Sequence, residues 1–454
     1  MRWTKLGVAG SLALAFVAGR EPSVAASPEP GGSTIEVPGD VSTIQEAVDS
    51  ASPGDLILVS PGTYNEAVNV QTDGITIRGL DRNEVVLDGK LELDNGIRVL
   101  GASGVAIENL TAVNYTANAF FWTGVDGYRG SFLTAYRNGA YGLYAFDSIN
   151  GQFDHSYAAG AGIAGFYVGQ CFRCNAVVDN VVAEYNSIGF FGTNAGGNLF
   201  VVRSRFNNNR VGLLPNSGSY ELCFPQRELV IAGNLVYSNN QADAPGIELS
   251  LMAMGNGMYV AGGIGDTVAN NRVWDHDHAG IAFVPYVEEA PADDQPGPDE
   301  WDRSCEESSQ DPVNTAPPDS LLWDPINNVV TGNVVEDSGF ADLVLASIGT
   351  DLSTLGNCFA GNDFTTSAPA ELEALAPCDG DGLGDWTAGQ LDLNQWNAEA
   401  QGAPEPPPYE TAVLPDLEPQ ETMPDAASAP ADPAIDVVID IDVSSVPVPD
   451  APAE

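Results

Sequence analysis

The densest group of ionisable side chains in the repetitive middle of the chain is Trp274-Asp275-His276-Asp277-His278, which holds two of the three histidines. Two imidazoles at i, i+2 with carboxylates between them suit one of two tasks. Asp275 and Asp277, with the two imidazoles, could bind a metal; calcium is the ion considered for the chain, on oxygen donors such as Asp154 and Asp179. Alternatively, His276 or His278 could act as a base with a carboxylate to orient it. Arg210 and Glu248 precede this cluster. If both come within reach of one bound sugar, a guanidinium or cation would neutralise a uronate carboxylate while a base removes the adjacent proton. The plainer reading, a solvated turn, stays open beside it.

Whether these groups share a face depends on the element that carries them. Ala112, Ala135 and Ala158 recur every 23 residues, and Gly142, Gly165, Gly189 and Gly212 follow at 23, 24 and 23. A period near 23, rich in Val, Ile, Asn and Gly, predicts an all-β, right-handed parallel β-helix with three short strands and three turns per coil. One coil cannot bury its inward face alone, so coils must stack. Side chains alternate along a strand. Two residues after the glycine column the side chain therefore points outward, at Phe121, Tyr144, Tyr167, Phe191, Leu214, Glu248 and Ala282. The four aromatic members, Phe121, Tyr144, Tyr167 and Phe191, form a column with one ring per coil, about 4.8 Å apart. Aromatic faces stack on sugar rings, so the column is either the floor of a polysaccharide cleft or a stack covered by a loop. Arg137, Glu184, Arg210 and the Asp275–His278 turn precede the glycine column and border the same face. Asn234, Asn271 and Asn333 occupy a turn slot where asparagine tolerates left-handed backbone and can bond to the next coil. His155 falls in such a slot, in line with Asn109 and Asn180, and reads as a turn residue.

The chain divides by composition into an export leader over residues 1–26, a linker over 27–40, coils over 41–364, an extension over 365–403 and an acidic Pro/Ala-rich tail over 404–454 that reads as disordered. Arg2 and Lys5 before the apolar Leu6–Ala18 run, then Val24-Ala25-Ala26, give the leader its signature. The expected product is secreted, monomeric and without a membrane span. Ser42 is placed as the cap of a short helix ending near Ala51, which covers the open first coil. Residues 288–320 interrupt the rhythm as an acidic loop. Sixteen basic against 63 acidic residues give a net charge of −47, which excludes a nucleic-acid partner. Six cysteines in an exported chain suggest three disulfides: Cys171 with Cys174, Cys223 with Cys305, and Cys358 with Cys378.

Several segments carry a family likeness. Ser42-Thr-Ile-Gln-Glu-Ala-Val, Pro53-Gly-Asp-Leu-Ile-Leu-Val, Pro61-Gly-Thr-Tyr-Asn-Glu and Ile75-Thr-Ile-Arg-Gly resemble the opening coil of pectin-lyase-like β-helix proteins. Asn327-Asn-Val-Val-Thr-Gly-Asn-Val-Val resembles their generic repeat, as in copper-accessory proteins of the NosD type. The resemblance implies the fold over roughly residues 35–364, and a strand face that forms the carbohydrate cleft in sugar-active members. It does not select a reaction, because the fold hosts lyases, hydrolases, esterases, epimerases and non-enzymes. The paired aspartates and Arg-Pro-Trp of pectin methylesterases are missing, as are the aspartate cluster, Gly-His-Gly and Arg-x-Lys of the hydrolases. Trp274-Asp275-His276 echoes pectate lyases without their Arg-rich strands. Two functions therefore stand: a secreted protein that binds, and could cleave or modify, a polysaccharide, or a non-catalytic cell-envelope β-helix, including a NosD-like metal-accessory role. Met252, Met254 and Met258 are Cu(I)-type ligands, but they follow the glycine column whereas His276 and His278 precede it. Core packing is the better reading for them.

Overall fold

The computed structural model describes residues 32–289, 320–393, 395–396, 405–433 and 439–452. The expected leader and most of the 288–320 loop lie outside them. Short strands visit three sheets in turn. Val105–Glu108, Thr111–Val113 and Phe120–Thr123 make one coil, and Asp126–Ser131, Thr134–Tyr136 and Tyr141–Phe146 make the next. Strands of successive coils pair in parallel, building sheets of 13, 10 and 11 strands, called here sheets I, II and III in the order a coil visits them. The protein is an all-β parallel β-helix, as the 23-residue period and the pectin-lyase-like resemblance led one to expect.

The rhythm translates directly into register. Ala112, Ala135 and Ala158 are consecutive partners in sheet II, and all three are buried in the core. Glycine recurs beside them because the coil wall closes on itself there. A Cβ on Gly142 would lie 2.4 Å from the Gly165 carbonyl and 2.9 Å from Ala158 Cβ, too close for any side chain. The asparagine slot forms the expected ladder. Asn234 Nδ2 donates to Asn271 Oδ1 at 3.0 Å, and Asn271 Nδ2 to Asn333 Oδ1 at 2.9 Å. Each amide thereby satisfies buried turn groups that the strands cannot reach. Asn109, His155 and Asn180 all adopt left-handed backbone, with φ of 56°, 47° and 52°.

Four boundaries differ from expectation. The helix Ile44–Ser50 is capped by Thr43 in a box with Glu46, while the Ser42 hydroxyl bonds to the Glu46 carboxylate. Thr34–Val37, placed in the linker, is the first strand of sheet I and pairs with Leu56–Val59. Ser367–Ala368, beyond the expected last coil, still adds to sheet III. The largest difference is the tail, which was expected to be disordered. Over residues 405–433 and 439–452 it lies along the coils. Arg137 Nη1 donates to the carbonyls of Tyr409, Glu410 and Ala412, each at 3.0 Å. Arg82 donates to the carbonyl of Glu421, and Arg78 to those of Ala429 and Pro430. The segment then returns over sheet I, where Ile439, Ile441 and Val443 pack on a cluster that includes Phe200 and Val446. Composition reads a Pro- and Asp-rich segment as unable to bury a core of its own. It does not register that the coil wall presents guanidinium donors that need acceptors.

Cys171 pairs with Cys174 and Cys358 with Cys378, with Cα separations of 4.9 and 4.7 Å. Cys223 is also disulfide-bonded, and its expected partner Cys305 lies outside the described residues. No described helix is long and apolar enough to cross a membrane.

Candidate functional site

Sheet III carries the aromatic column on its outer face. Phe121, Tyr144, Tyr167 and Phe191 are consecutive register partners. The Phe121 and Tyr144 rings lie 5.0 Å apart at 12°, and those of Tyr144 and Tyr167 4.7 Å apart at 18°. Tyr167 and Phe191 meet edge-on at 70°. Exposure changes along the column. Phe121 and Tyr144 are half-buried, whereas Tyr167 and Phe191 are buried. Two neighbours that the column count missed widen its open part. Phe146, two residues after Tyr144 and so on the same face, lies 5.8 Å from it at 13°, and Tyr141 leans on it at 4.4 Å. Strand alternation alone could have found Phe146. At the other end Arg98 is the partner of Phe121. Its Nε donates to Asn69 Oδ1 at 2.9 Å, and Asp94 lies 3.7 Å from its Nη1.

Glu248 is not in the column. Its assignment took Gly246 as the next glycine, but the coil resumes at Gly257, whose carbonyl accepts from Leu213 N at 2.9 Å. Residues 238–256 are an extra loop carrying the helix Glu248–Met252, with Glu248 exposed on it. The outward position after Leu214 therefore belongs to Tyr259, followed by Ala282. An insertion before a strand shifts every count made across it, and a neighbouring glycine hid the shift.

The other expected catalytic groups are engaged with this loop or with the coil wall. The Arg210 side chain is buried and donates to the carbonyls of Ala244 and Ala242 and to Met254 Sδ. Burial lowers its pKa to about 10. His278 bonds through Nδ1 to the Met254 carbonyl at 2.7 Å and packs against Trp396. His276 is buried, with Nε2 3.2 Å from Asn239 Nδ2. Asn186, Asn209 and Asn239 form a second amide ladder, and His276 extends it. Burial depresses its pKa to about 3 and keeps the ring neutral. Asp275 and Asp277 are exposed, Asp275 accepting from the Ser238 hydroxyl at 2.5 Å and Asp277 N donating to Asn240. Among the described residues no three His, Cys, Asp or Glu side chains converge in a way that would hold a metal ion. Met258 is a core residue.

The residue that sequence reading missed altogether is Glu221. It sits on the loop after Val211–Asn216, and its two carboxylate oxygens accept from Tyr167 Oη at 2.7 and 2.8 Å. It lies in an interruption of the repeat, where the 23-residue ruler gives no position.

No family model and no curated protein matches the chain. Among solved structures it is similar to the A-module of the Azotobacter vinelandii mannuronan C-5 epimerase AlgE4. Identity is 15%, covering 75% of this chain and 93% of that one, with a TM-score of 0.45. It is also similar to a rhamnogalacturonan lyase, at 12% identity, 82% and 99% coverage and a TM-score of 0.45. An alginate lyase from Paenibacillus sp. str. FPU-7 matches at 14% identity, 74% and 99% coverage and a TM-score of 0.40. Likeness this remote carries no functional weight, and the parallel β-helix stands on the strand pairing itself.

Proposed function

We propose that this protein binds an extended polysaccharide on the outer face of sheet III, over the open coils from Arg98 to Phe146, as a secreted monomer. The observation that carries the reading is the half-buried stack of Phe121 and Tyr144, whose nearly parallel rings lie 5.0 Å apart at 12°. Rings stacked at the coil spacing turn a continuous row of apolar edges outward, against which the C–H faces of successive sugar rings can pack. Binding, with no catalytic step assigned to Arg210, Glu248, His276 or His278, is the form of the function favoured here. Arg210 and His276 are buried, and their bonds tie the 238–256 loop and an amide ladder to the coil. The Cys171–Cys174 and Cys358–Cys378 disulfides fit an oxidising, extracellular setting.

Affinity measurements on neutral and anionic polysaccharides, with and without calcium, test this reading. The wild type should bind at least one chain, and Phe121→Ala with Tyr144→Ala should weaken that binding tenfold or more. A wild type that binds none of them, or a double variant with unchanged affinity, refutes it.

A further inference from the structure

Sheet II carries a second ring pair on its outer face, away from the column of sheet III. Tyr237 and Trp274 are register partners there, and their rings lie 4.3 Å apart at 12°. Both are half-buried. Neither closes the core, which the same strands fill with Val236 and Val273. Tyr237 belongs to the preceding coil and covers one face of the indole, so the other face looks along the ladder towards the following coil. The partner of Trp274 in that coil is Glu336, on Val334–Ser338, the last strand of sheet II. Glu336 is exposed, and among the described residues Trp274 meets no ring other than Tyr237. The free indole face therefore borders a solvated side chain rather than a packed one.

Charged groups of both signs border the ring. Asp275 and Asp337 stand at the corner towards sheet III, in left-handed backbone with φ of 59° and 52°, and both are exposed. One Asp275 oxygen accepts from the Ser238 hydroxyl, which fixes the carboxylate beside the strand. On the opposite side, Arg272 lies two residues before Trp274 and so on the same face. Its Nε donates to the Pro449 carbonyl at 2.8 Å, so the tail holds this guanidinium next to the pair.

We infer that Trp274, backed by Tyr237 and edged by Glu336 and Asp275, is a second carbohydrate subsite that takes a neutral sugar ring of a glycan chain. The sugar ring packs on the free indole face, and the carboxylate oxygens accept from its hydroxyls. Glu336 and Asp275 disfavour a uronate at this position, and the Arg272 guanidinium disfavours a protonated amino sugar. Hydroxyls are the groups that such mixed neighbours suit. The subsite stands on a different sheet from the Phe121–Tyr144 platform and does not rest on that reading. With both in place, one molecule holds glycan on two walls of its coil.

The test is calorimetric titration of the full chain with neutral hexasaccharides of glucose, mannose and galactose, with Trp274→Ala, Glu336→Ala and the Phe121→Ala/Tyr144→Ala variant in parallel. The wild type should bind at least one of the three. Trp274→Ala should weaken one site about tenfold or more with the β-sheet circular dichroism unchanged. Glu336→Ala should cost about fivefold, the worth of one hydrogen bond. The same losses should appear when these changes are added to the Phe121→Ala/Tyr144→Ala variant. Wild-type affinity and stoichiometry in Trp274→Ala overturn the inference and leave the platform standing. Loss in Trp274→Ala with none in the aromatic double variant supports the subsite and overturns the platform. A wild type that binds no neutral hexasaccharide overturns the subsite, whereas the platform is still judged on the anionic chains. If Trp274→Ala does not fold, the exposed Glu336→Ala decides, and unchanged affinity there overturns the inference.

Discussion

Two walls of the same coil meet solvent in opposite ways. The wall beneath the C-terminal segment is lined with guanidinium groups, and the protein's own chain covers it. The open coils of sheet III are lined with aromatic rings, and part of them stays uncovered. On the first wall Arg78 and Glu108 are fully buried and 2.6 Å apart, with Arg129 3.1 Å from the other Glu108 oxygen. Burial raises the Glu108 pKa, and both arginines work against that rise. The remaining donors of Arg78, Arg82 and Arg137 are taken by carbonyls of the tail. A buried guanidinium without acceptors is costly, so a wall of arginines recruits a partner, and here the partner lies in cis. Aromatic rings carry no such unpaired groups and can wait for a ligand. The comparison separates charged residues used up by the fold from planar residues left available.

The first wall can be broken most sharply at Arg78. Arg78→Ala leaves buried Glu108 with Arg129 alone and frees the tail carbonyls, so we expect a loss of ~3–5 kcal/mol in denaturant unfolding. Equal stability of the variant would mean that the tail is not integral to the fold. Asn271→Ala removes the acceptor for Asn234 N and Nδ2 and the donor to Asn333. A loss of about 1–3 kcal/mol, read in the same way, would place the ladder near the covered wall in importance.

On the open wall the expected change is in binding rather than in folding. Phe121→Ala with Tyr144→Ala should cost tenfold or more in glycan affinity, about 1.4 kcal/mol, and should leave the β-sheet circular dichroism unchanged. A double variant that unfolds would make the rings core residues and erase the contrast. His276 gives a pH test of the residues reassigned to structure. Its folded pKa is depressed to about 3 from an ordinary value of 6.5. The stability it contributes is therefore complete above pH 6.5 and is lost as pH falls from there towards 3. His276→Asn, which continues the ladder with an amide, should lose less melting temperature than wild type between pH 7 and pH 4. An identical loss in both would show that the imidazole is not a buried neutral group. The smallest effect belongs to an exposed position midway along the tail. Asp432→Asn removes the ion pair with Arg129, in which the Asp432 side chain is 67% exposed. It should cost no more than ~1 kcal/mol and fade with added salt.

Much of this could be read from the chain because periodicity and packing share one physical cause. A side chain that must fit the same corner of every coil recurs at the same spacing, which is why Ala112, Ala135 and Ala158 stack and why Asn234, Asn271 and Asn333 bond to one another. The aromatic column was legible for the same reason. The place of Glu248 was not, because Gly246 imitated the column while the true corner residue is Gly257, and the engagement of Arg210, His276 and His278 depends on a loop outside the repeat.

By itself, then, the sequence determined the coil, its register and the face on which rings accumulate, since these follow from local alternation and a fixed repeat. Only the tertiary structure decided which of those rings stay uncovered and which charged groups are consumed by the fold. Tyr167 is closed off by Glu221 from an insertion, and Arg78 by carbonyls some 350 positions along the chain. Contacts between segments so distant obey no period, so no spacing in the sequence announces them.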